Sequence, residues 1–564
     1  MDEVNYWRTR RWSRRTVLRS TGLTGAGLAA AALLGCGSDD DGGDPTAAAT
    51  TASSGTAAST EAVSAVKKGG RIQLLQNGDP PTFDQHGSST TYTNYVTSLA
   101  YNQLVKNDPA VGEENPEAIL PDLATEWEVS PDGQQYTFHL VQNAKYHDGT
   151  PFVAADAKAS LERQKDPPET LVNPPRGAQI QWIGSIDTPD DYTLVINANR
   201  PVSTLSVLPI MAQGWMANYS KKDIDAGFDF RTQVNGTGPY RFVSYQNGAK
   251  VVYDKNPDYF VADRPHLDGV DIFIVPDAAS RDANFQGGKI DVYAPGFESL
   301  NTIQQALGDK VETMPTNGYG FSVLNYGARE PWTDLRVRQA VAMAHNRQAA
   351  IDTVVFGDGR LGGYMSGGAY WSLSDAELQE LPGYEPFTDS LIGEARKLLD
   401  AAGVPAQLEG TILTRLGSEN LSLFTQDQLK KLGINVALDV QETATAYDNL
   451  TKRNFDLAPW GHAYAVDDPD AVFSEFYITG APRNYSEVDA PEVDDLFLKQ
   501  SMEQDPETRR ELVKDLQRLA VPLHGKTMMY WSNGRETKWK RVQDYVAHTS
   551  TYNNRRWQDT WLDV

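Results

Sequence analysis

Cysteine is almost absent from this chain of 564 residues, in which Cys36 is the only one. This excludes disulfides within the chain and metal sites built from several cysteines. The eight histidines are scattered, and none lies three or four residues from another. Because zinc sites commonly use such spacings, we expect neither a metal centre nor any other cofactor.

Positive charge is also scarce, since 51 Lys and Arg face 75 Asp and Glu, for a formal net charge of −24. Nucleic-acid binding depends on basic patches that neutralise phosphates, so this balance argues against a nucleic-acid partner. Familiar catalytic motifs are missing as well: there is no nucleophile elbow, no phosphate-cradling P-loop, no HExxH and no Rossmann fingerprint after a strand. Catalytic groups can also come from distant segments, but the missing motifs favour a protein that is not an enzyme.

The N-terminal region has no hydrophobic run long enough to span a bilayer. Gly22–Leu34 is apolar but short, as expected for the apolar part of a signal peptide. It follows Ser13–Arg19, which looks like a twin-arginine export signal, and ends in Leu33–Cys36, which resembles a lipobox. A chance cysteine behind a signal peptide is the alternative. We predict export and lipid anchoring through Cys36, in the periplasm or at the outer face of the cytoplasmic membrane.

The rest of the chain is rich in aromatic residues, with 12 Trp, 25 Tyr and 18 Phe. That content supports large cores, and the length exceeds what one core serves, so we expect two or three domains. Residues 37–66 are the exception. They are rich in Gly, Ser, Thr and Ala without an aromatic residue, a composition typical of a flexible tether.

Helical and strand periodicities predict the main elements. Apolar residues at helical spacing predict helices over Tyr92–Val105 and from Asp334 to about Phe356. The Asn247-Gly248 dipeptide predicts a tight hairpin turn. Between residues 411 and 460, three predicted strands alternate with two predicted helices, which indicates a parallel sheet with crossover helices.

The stretch Asn235–Val292 contains the segments GTGPYRF, NPDYF, LDGV and GGKIDV in this order. Together they resemble the central block of the family 5 solute-binding proteins, the extracytoplasmic receptors of peptide, nickel and related ABC importers. The resemblance extends from about residue 69 to residue 564. His147-Asp148, in the turn KYHDGTPF, also matches this family, which favours a structural hydrogen-bonding role over a catalytic or metal pair.

The resemblance implies an α/β fold of the periplasmic-binding-protein-like type II class, with two lobes around a cleft and an extra small domain. It also implies a division of the chain into segments. These are a signal peptide (1–35), a tether (36–68), lobe 1 in three parts (69–105, 201–316 and 526–564), a small extra domain (106–200) and lobe 2 (317–525).

By the same resemblance, two stretches face the ligand. On the first lobe, these are the polar residues that follow Asp84, namely Ser89, Thr90, Thr91 and Tyr92. On the second lobe, they are Trp460, His462 and Tyr464, with Asn325 as a further candidate. Trp460 is alternatively a core residue at a strand end. His462 is expected to be a hydrogen-bond donor rather than a metal ligand.

Related peptide receptors read roughly W-x-A-D-Y-x-D-P near this tryptophan. Here Asp468-Pro469 matches, but it lies two residues farther from Trp460. The aspartate that pairs with a peptide's amino group falls on Ala465 or Ala463. The nearest counterparts of the basic residues that meet the carboxylate are the uncharged Leu450 and Leu457, and a shifted alignment would instead bring Lys452 or Arg453 to this role. Because losing charged partners changes selectivity, we predict a ligand other than a simple zwitterionic short peptide.

The resemblance thus predicts a monomeric, lipid-anchored receptor that passes its solute to an ABC permease and ATPase complex. The solute is a peptide or peptide-like molecule, or another small molecule such as an oligosaccharide, an opine-like compound or a metal chelate. An exported hydrolase or chaperone-like protein on the same scaffold is the alternative, which substrate turnover would reveal.

Overall fold

The computed structural model describes residues 66–564, except residues 89, 113–114, 170, 172–175, 417, 465 and 551–555. Three sequence predictions therefore lie outside the described residues: the export signal with Cys36, nearly all of the tether, and the ligand contact at Ser89. Ala465, one of the two positions expected for the missing aspartate, lies outside them as well.

Side chains alternate between buried and partly exposed along strands such as Arg71–Gln76 and Gln135–Leu140, whereas Gly320–Tyr326 and Lys526–Ser532 are buried along nearly their whole length. The strands are β1 (Arg71–Gln76), β2 (Val105–Asn107), β3 (Ile119–Pro121), β4 (Ala124–Val129), β5 (Gln135–Leu140), β6 (Ile183–Asp190), β7 (Thr193–Ala198), β8 (Tyr240–Gln246), β9 (Lys250–Lys255), β10 (Gly269–Ile274), β11 (Val292–Tyr293), β12 (Val311–Thr316), β13 (Gly320–Tyr326), β14 (Gly359–Arg360), β15 (Leu408–Arg415), β16 (Ile434–Gln441), β17 (Leu457–Ala463), β18 (Lys526–Ser532), β19 (Gly534–Trp539), β20 (Val542–Gln543) and β21 (Trp561–Leu562).

Several helices begin at an Asp, Asn, Ser or Thr whose side chain accepts a hydrogen bond from the first turn. The helices are α1 (Thr91–Thr97), α2 (Ala154–Lys165), α3 (Thr204–Met211), α4 (Lys221–Asp225), α5 (Ala278–Gln286), α6 (Phe297–Leu307), α7 (Leu335–Ala344), α8 (Arg347–Val354), α9 (Asp375–Gln379), α10 (Asp389–Ala401), α11 (Glu419–Lys430), α12 (Thr443–Thr451), α13 (Pro469–Phe476), α14 (Pro491–Met502) and α15 (Pro506–Ala520).

The larger sheets form three groups: those of lobe A, the small sheet and the sheet of lobe B. Lobe A contains the sheets β1-β10-β9-β8 and β11-β19-β12, and the small sheet has the order β4-β5-β7-β6. Lobe B is built on the six-stranded sheet β14-β18-β13-β17-β15-β16. This mixed architecture agrees with the predicted α/β class.

The core of lobe A lies against β1 and β10, which pair in parallel with Ile72 opposite Val270. Both residues are fully buried. The neighbouring β8 and β9 form the antiparallel hairpin predicted at Asn247-Gly248. Gly248 adopts a φ of +69° there, a conformation that glycine takes without a steric penalty.

The core of lobe B forms where α7, α10 and α11 pack on the sheet. Val337, Leu399 and Leu429 from these helices meet Ile412 of β15 in one apolar cluster. The pairings of β15 with β16 and with β17 are parallel, which confirms the predicted parallel arrangement with crossover helices.

Two predicted helices are shorter than expected. The helix predicted from Asp334 to about Phe356 is two helices, α7 and α8, because His345 is extended and Asn346 caps α8 by accepting from the amide of Ala349 at 3.0 Å. The helix predicted over Tyr92–Val105 ends at Thr97. Val105 instead begins β2, so tertiary pairing overrides the helical spacing of the apolar residues there.

Lobe A and lobe B are joined where two strands leave one sheet and enter the other. The first crossover runs from β12 through residues 317–319 into β13, and the second runs from β18 through Asn533 into β19. The crossovers approach closely, since a Cβ on Gly318 would lie 3.1 Å from the carbonyl oxygen of Ser532. A glycine at this position therefore permits the two crossovers to lie side by side.

Candidate ligand-binding site

Arg360 binds both crossovers. Its guanidinium donates to the carbonyl oxygens of Gly318 at 2.9 Å and Ser532 at 2.7 Å, one on each crossover. A third hydrogen bond, of 2.7 Å, goes to the carbonyl oxygen of Gly367 in the glycine-rich loop. Because a guanidinium carries five donors in a planar fork, one side chain can bind all three segments.

Tyr464 lies beside the first crossover. Its ring stacks on Tyr319 with ring centres 5.0 Å apart. The Tyr464 hydroxyl donates to Asp467 at 2.9 Å and accepts from the amide of Ser366 at 3.1 Å. Thr549, from the C-terminal segment, donates to the Tyr319 hydroxyl at 3.0 Å. The structure thus places this predicted ligand residue where lobe B, a crossover and the C-terminal segment meet.

Trp460 lies in a small core of lobe B and is 3 % exposed. The edge of its ring meets Tyr447 of α12, with centres 4.9 Å apart, and the guanidinium of Arg415 lies 5.7 Å from the ring centre. Among the described residues, the indole N–H has no hydrogen-bond partner. The arrangement offers one unused donor beneath α12, and a ligand contact at Trp460 stays a prediction.

His462 lies among aromatic rings on the same sheet face. Its ring centre is 5.6 Å from that of Phe321 and 5.3 Å from that of Phe476. Its Nε2 has no hydrogen-bond partner in the part of the chain that the structure describes. Burial, with a smaller contribution from Lys526 and Arg483, lowers the pKa of His462 well below its usual range. The imidazole is therefore neutral at physiological pH and can either donate or accept one further hydrogen bond at that nitrogen.

Asn325 is fully buried in β13, and its side chain is already engaged. The amide donates to the carbonyl oxygen of Ala458 at 3.0 Å and accepts from the ammonium of Lys526 at 2.7 Å. Lys526 also donates to the carbonyl oxygen of Arg483 at 2.6 Å and lies 4.7 Å from the ring centre of Tyr485. Asn325 thus positions a buried lysine that the sequence analysis did not single out.

The candidates on lobe A lie at the start of α1. Thr90 caps this helix by accepting from the amide of Thr93 at 3.3 Å, and Thr91 and Tyr92 are partly exposed. Nearby, Arg163 of α2 makes a two-fold contact with Asp84, at 2.6 and 3.1 Å. Within the described residues, no hydrogen bond or ring contact joins this group to the group around Tyr464.

His147 and Asp148 have the structural role expected for them. The imidazole of His147 contacts the carbonyl oxygen of Gly238 at 3.1 Å, and Asp148 pairs with Lys222 at 2.8 Å. Burial lowers the pKa of His147 to about 4. Groups of three or more His, Cys, Asp or Glu side chains suited to a metal ion do not occur in the part of the chain described.

The family model of bacterial extracellular solute-binding proteins, family 5 Middle, matches residues 118–484. The chain belongs to this family. Among curated relatives, it is 26% identical over 497 residues to the probable D,D-dipeptide-binding periplasmic protein DdpA of Escherichia coli K12, covering 85% of this chain and 90% of that protein. It is 29% identical to heme-binding protein A of Haemophilus influenzae, over 57% of this chain and 59% of that protein.

The fold of this solute-binding protein also resembles solved structures. The periplasmic binding protein AgaA of A. tumefaciens R10, solved with agropinic acid, superposes with a TM-score of 0.70 at 24% identity, over 88% of this chain and 99% of that one. This similarity supports the type II binding-protein fold that the sequence predicts. In the described residues of this solute-binding protein, helices long and apolar enough to cross a membrane are absent.

The uncharged positions at which charged ligand partners are expected differ in their burial in this solute-binding protein. Leu450 and Leu457 are fully buried in apolar clusters of lobe B. Ala463 is exposed at the end of β17. The leucines therefore contribute to the core, and neither supplies a basic group for a ligand carboxylate.

A buried polar network joins α3, which packs on the small sheet, to lobe B. Ser206 lies 3.1 Å from a carboxylate oxygen of Asp468 and 3.2 Å from one of Asp470. Arg509 donates to Ser206 at 2.8 Å and to Asp468 at 3.0 Å. The side chains of Arg509 and Asp468 are both 0 % exposed. Burial raises the pKa of Asp468 to about 6.

Only one part of this network is recognisable in the sequence. Asp468-Pro469 was singled out as a family match, and Asp468 does cap α13, accepting from the amide of Asp470 at 2.9 Å. Its ion-pair partner, Arg509, belongs to a different helix, and Ser206 is 262 residues away from Asp468. Only a helix-starting Asp-Pro pair was visible in the sequence.

Proposed function

We propose that this protein captures a solute between lobe A and lobe B and delivers it to an ABC permease with its ATPase. Membership of the family of extracellular solute-binding proteins supports this function. The observation that carries the proposal is the pair of crossovers, because two adjacent strands that join separate sheets form a hinge about which the lobes can rotate.

The mechanism is closure by population shift. A solute that contacts both lobes only when they are closed favours the closed state by its extra contacts. The network of Ser206, Asp468 and Arg509 stabilises the closed state, since it joins α3 to α13 and α15 of lobe B. Arg360 binds both crossovers through neutral carbonyl oxygens, which can exchange it for water as the lobes move.

The solute contacts lobe A at the start of α1 and lobe B near the end of β17. Ser89, Thr90, Thr91 and Tyr92 form the first group. His462 and Tyr464 lead the second group, with Trp460 below them and Asn325 behind, where it holds Lys526. The neutral imidazole of His462 suits a hydrogen bond to an uncharged polar group.

The solute lacks the zwitterionic ends of a short peptide. Ala463 and the buried Leu450 and Leu457 occupy the positions where charged partners are expected. Relatives named for a dipeptide, for heme and for agropinic acid indicate that this fold accommodates chemically different ligands. A peptide-like molecule with blocked ends, an oligosaccharide, an opine-like compound or a chelate fits these features.

The division into segments is part of the proposal. Lobe 1, which is lobe A, consists of residues 69–105, residues 201–316 and the C-terminal segment. Residues 106–200 form the small domain, and residues 317–525 form lobe 2, which is lobe B. The pairing of β1 with β10 and of β12 with β19 supports this division. We place its last boundary at the crossover, Asn533, rather than before residue 526, because β18 lies in the sheet of lobe B.

The solute is identified by mass spectrometry of the native protein purified from its own host, followed by calorimetric titration of the compound found. We expect one equivalent to bind without chemical change. Turnover of that compound by the purified protein would favour the exported hydrolase and would contradict the receptor.

Trp460→Phe tests the lobe B contact while it preserves an aromatic side chain in the core. If the indole N–H donates to the solute, the affinity should fall by about 1 kcal/mol or more, with the melting temperature nearly unchanged. Phe473→Leu, a substitution of another buried aromatic residue of lobe B, serves as the control. Equal affinity of Trp460→Phe and the unmodified protein would assign Trp460 to the core alone.

Membrane attachment is tested at Cys36. We propose that this cysteine is acylated after twin-arginine export and anchors a monomeric receptor. Cys36→Ala should move the protein from the membrane fraction to the soluble fraction, whereas Ser38→Ala should leave it membrane-bound. If Cys36→Ala still sediments with membranes, the lipobox assignment is wrong.

A further inference from the structure

A cavity in lobe B lies between the start of α8, the short helix α9 and the loop that follows α9. It encloses about 90 Å³, several times the roughly 10–15 Å³ that one water molecule needs. The described residues that line it all fall within residues 345–387, a stretch that the structure describes without a gap. The ligand candidates Trp460, His462 and Tyr464 are not among them, so the cavity is separate from the proposed interlobe site.

His345 contributes an unused hydrogen-bond acceptor to the lining. Its Nδ1 lies 2.8 Å from the carbonyl oxygen of Val341, in the last turn of α7. Because a carbonyl oxygen only accepts, Nδ1 carries the proton of this contact. Burial lowers the pKa of His345 to about 4, so the ring is neutral at physiological pH and Nε2 carries no proton. Within the described residues, this Nε2 has no hydrogen-bond partner, and His345 is only 3% exposed.

Arg347, two residues later at the start of α8, contributes an unused donor. Its Nε donates to the carbonyl oxygen of Met528 at 2.9 Å, and its Nη1 donates to that of Gly383. The guanidinium lies over the face of the Tyr384 ring, 4.0 Å from the ring centre, and the Tyr384 hydroxyl itself donates to the carbonyl oxygen of Gly362. Nη2 of Arg347 is buried without a hydrogen-bond partner in the part of the chain described.

The charges of the lining favour an uncharged ligand. Besides the guanidinium of Arg347, the lining contains the carboxylates of Asp375 and Glu385. An anion would meet the two carboxylates, whereas a cation would meet the guanidinium. Because a buried charge without a matching partner costs several kcal/mol, neither kind of ion suits this cavity.

A hydroxyl group supplies what both open side chains lack. It can donate its proton to Nε2 of His345 and accept a hydrogen bond from Nη2 of Arg347 through the same oxygen. Leu361, Leu378 and Phe387 add apolar and aromatic surface for the rest of the molecule. An ether of the same shape can only accept, and a hydrocarbon can do neither.

We propose that this cavity is a second binding site, which takes a small uncharged alcohol or phenol through His345 and Arg347. The imidazole accepts from the hydroxyl group of the ligand, and the guanidinium donates to it. The site is separate from the interlobe site, so the result of its test does not depend on which solute the protein transports.

The experiment titrates the full exported protein, stripped of solute by unfolding and refolding, with 4-fluorophenol at pH 7, followed by ¹⁹F NMR. We expect saturable binding of one equivalent. 4-Fluoroanisole, which only accepts, and fluorobenzene, which does neither, should bind at least about fivefold more weakly. These two compounds test the hydroxyl group without any change to the protein.

A second measurement follows His345 itself. In protein labelled with ¹⁵N-histidine, the free imidazole should show the tautomer with its proton on Nδ1, and the Nε2 signal should shift when 4-fluorophenol is added. A proton on Nε2 in the free protein, or an Nε2 signal that 4-fluorophenol does not shift, would overturn the proposal.

Two matched variants locate the binding. His345→Phe keeps a ring but removes the acceptor, and it should weaken binding at least about fivefold. His139→Phe, at a partly exposed histidine of β5 in the small sheet, should bind as the unmodified protein does. Melting temperatures of both variants are compared, and if His345→Phe does not fold, the ligand series and the ¹⁵N signals decide.

Three further outcomes would contradict the site. The first is a lack of saturable binding, and the second is equal affinity for 4-fluorophenol and fluorobenzene. The third is equal binding by folded His345→Phe and His139→Phe. Each of these results would leave the proposed capture of a solute between the lobes untouched, because no interlobe candidate lines this cavity.

Discussion

Two arginines join distant segments of this protein, and they use different acceptors. Arg360, at the crossovers, donates to backbone carbonyl oxygens, including those of Gly318 and Ser532. Arg509, between α3 and lobe B, forms an ion pair with Asp468 in which both side chains are 0 % exposed. One arginine therefore holds neutral groups, whereas the other neutralises a buried charge.

The difference indicates what each contact contributes. Neutral carbonyl oxygens at the crossovers can exchange Arg360 for water when the lobes rotate, because that guanidinium is only partly buried. Asp468 has no such alternative, since a carboxylate left alone in a dry interface carries a large desolvation penalty. We infer that Arg360 tolerates movement at the hinge, and that Arg509 favours one arrangement of the segments it joins.

The largest effect is expected for Arg509→Met. This change removes the cation and leaves Asp468 buried without its partner, so the free energy of unfolding should fall by about 3–5 kcal/mol. Chemical denaturation of the purified protein measures it. Arg518→Met, at a partly exposed arginine on the same helix α15, should cost less than about 1 kcal/mol. Similar losses in both variants would mean that the buried pair of Arg509 and Asp468 contributes no more to stability than an exposed ion pair does.

Arg360→Met should have a smaller effect on stability. The variant loses hydrogen bonds to carbonyl oxygens that water can partly replace, so we expect a loss of about 1–3 kcal/mol. The lobes should also sample a wider range of separations, which small-angle scattering of the solute-free protein detects as a larger radius of gyration. Arg360→Lys keeps the charge without the planar fork, so its stability and radius of gyration should lie between those of Arg360→Met and the unmodified protein. A scattering curve unchanged in Arg360→Met would remove this residue from the hinge.

The smallest effect is a change in pH dependence caused by Asp468→Asn, which gives Arg509 neutral acceptors like those of Arg360. Burial raises the pKa of Asp468 to about 6, from an ordinary value of 3.8. The folded protein then keeps a proton that the unfolded chain has lost, so stability from this group is present below about pH 4 and declines as the pH rises to about 6.

Comparing the unmodified protein with Asp468→Asn across this pH range isolates the contribution of Asp468 to stability. The unmodified protein should lose stability between about pH 4 and pH 6 relative to Asp468→Asn, as measured by denaturation at several pH values. Asp495→Asn, at an exposed carboxylate, is the control and should keep the slope of the unmodified protein. Parallel curves for Asp468→Asn and the unmodified protein would show that Asp468 keeps an ordinary pKa in the folded state.

The predicted and observed elements agree best where the signal is local. The hairpin at Asn247-Gly248 and the parallel order of β15, β16 and β17 are confirmed, because turn chemistry and hydrophobic alternation are properties of neighbouring residues. The break at His345 was missed, although Asn346 is a good capping residue. An apolar stripe that continues past the break, from Val341 to Ile351, gave no sign of it.

The candidate site was less accessible to sequence reasoning. Tyr464 lies at the junction of the lobes. Trp460 packs against α12, and the side chain of Asn325 accepts a hydrogen bond from Lys526. A strand sequence does not reveal which of its faces a helix covers.

By itself, the sequence determined the hairpin at Asn247-Gly248, the parallel pairing of β15 with β16 and β17, and the family. Periodicity, turn residues and motif order are written in adjacent residues, so they can be read without coordinates. Only the tertiary structure decided that Arg509 neutralises Asp468 beside Ser206 and that Arg360 binds two crossovers. Such partners are chosen by the packing of segments that lie up to hundreds of residues apart, and no local pattern records that choice.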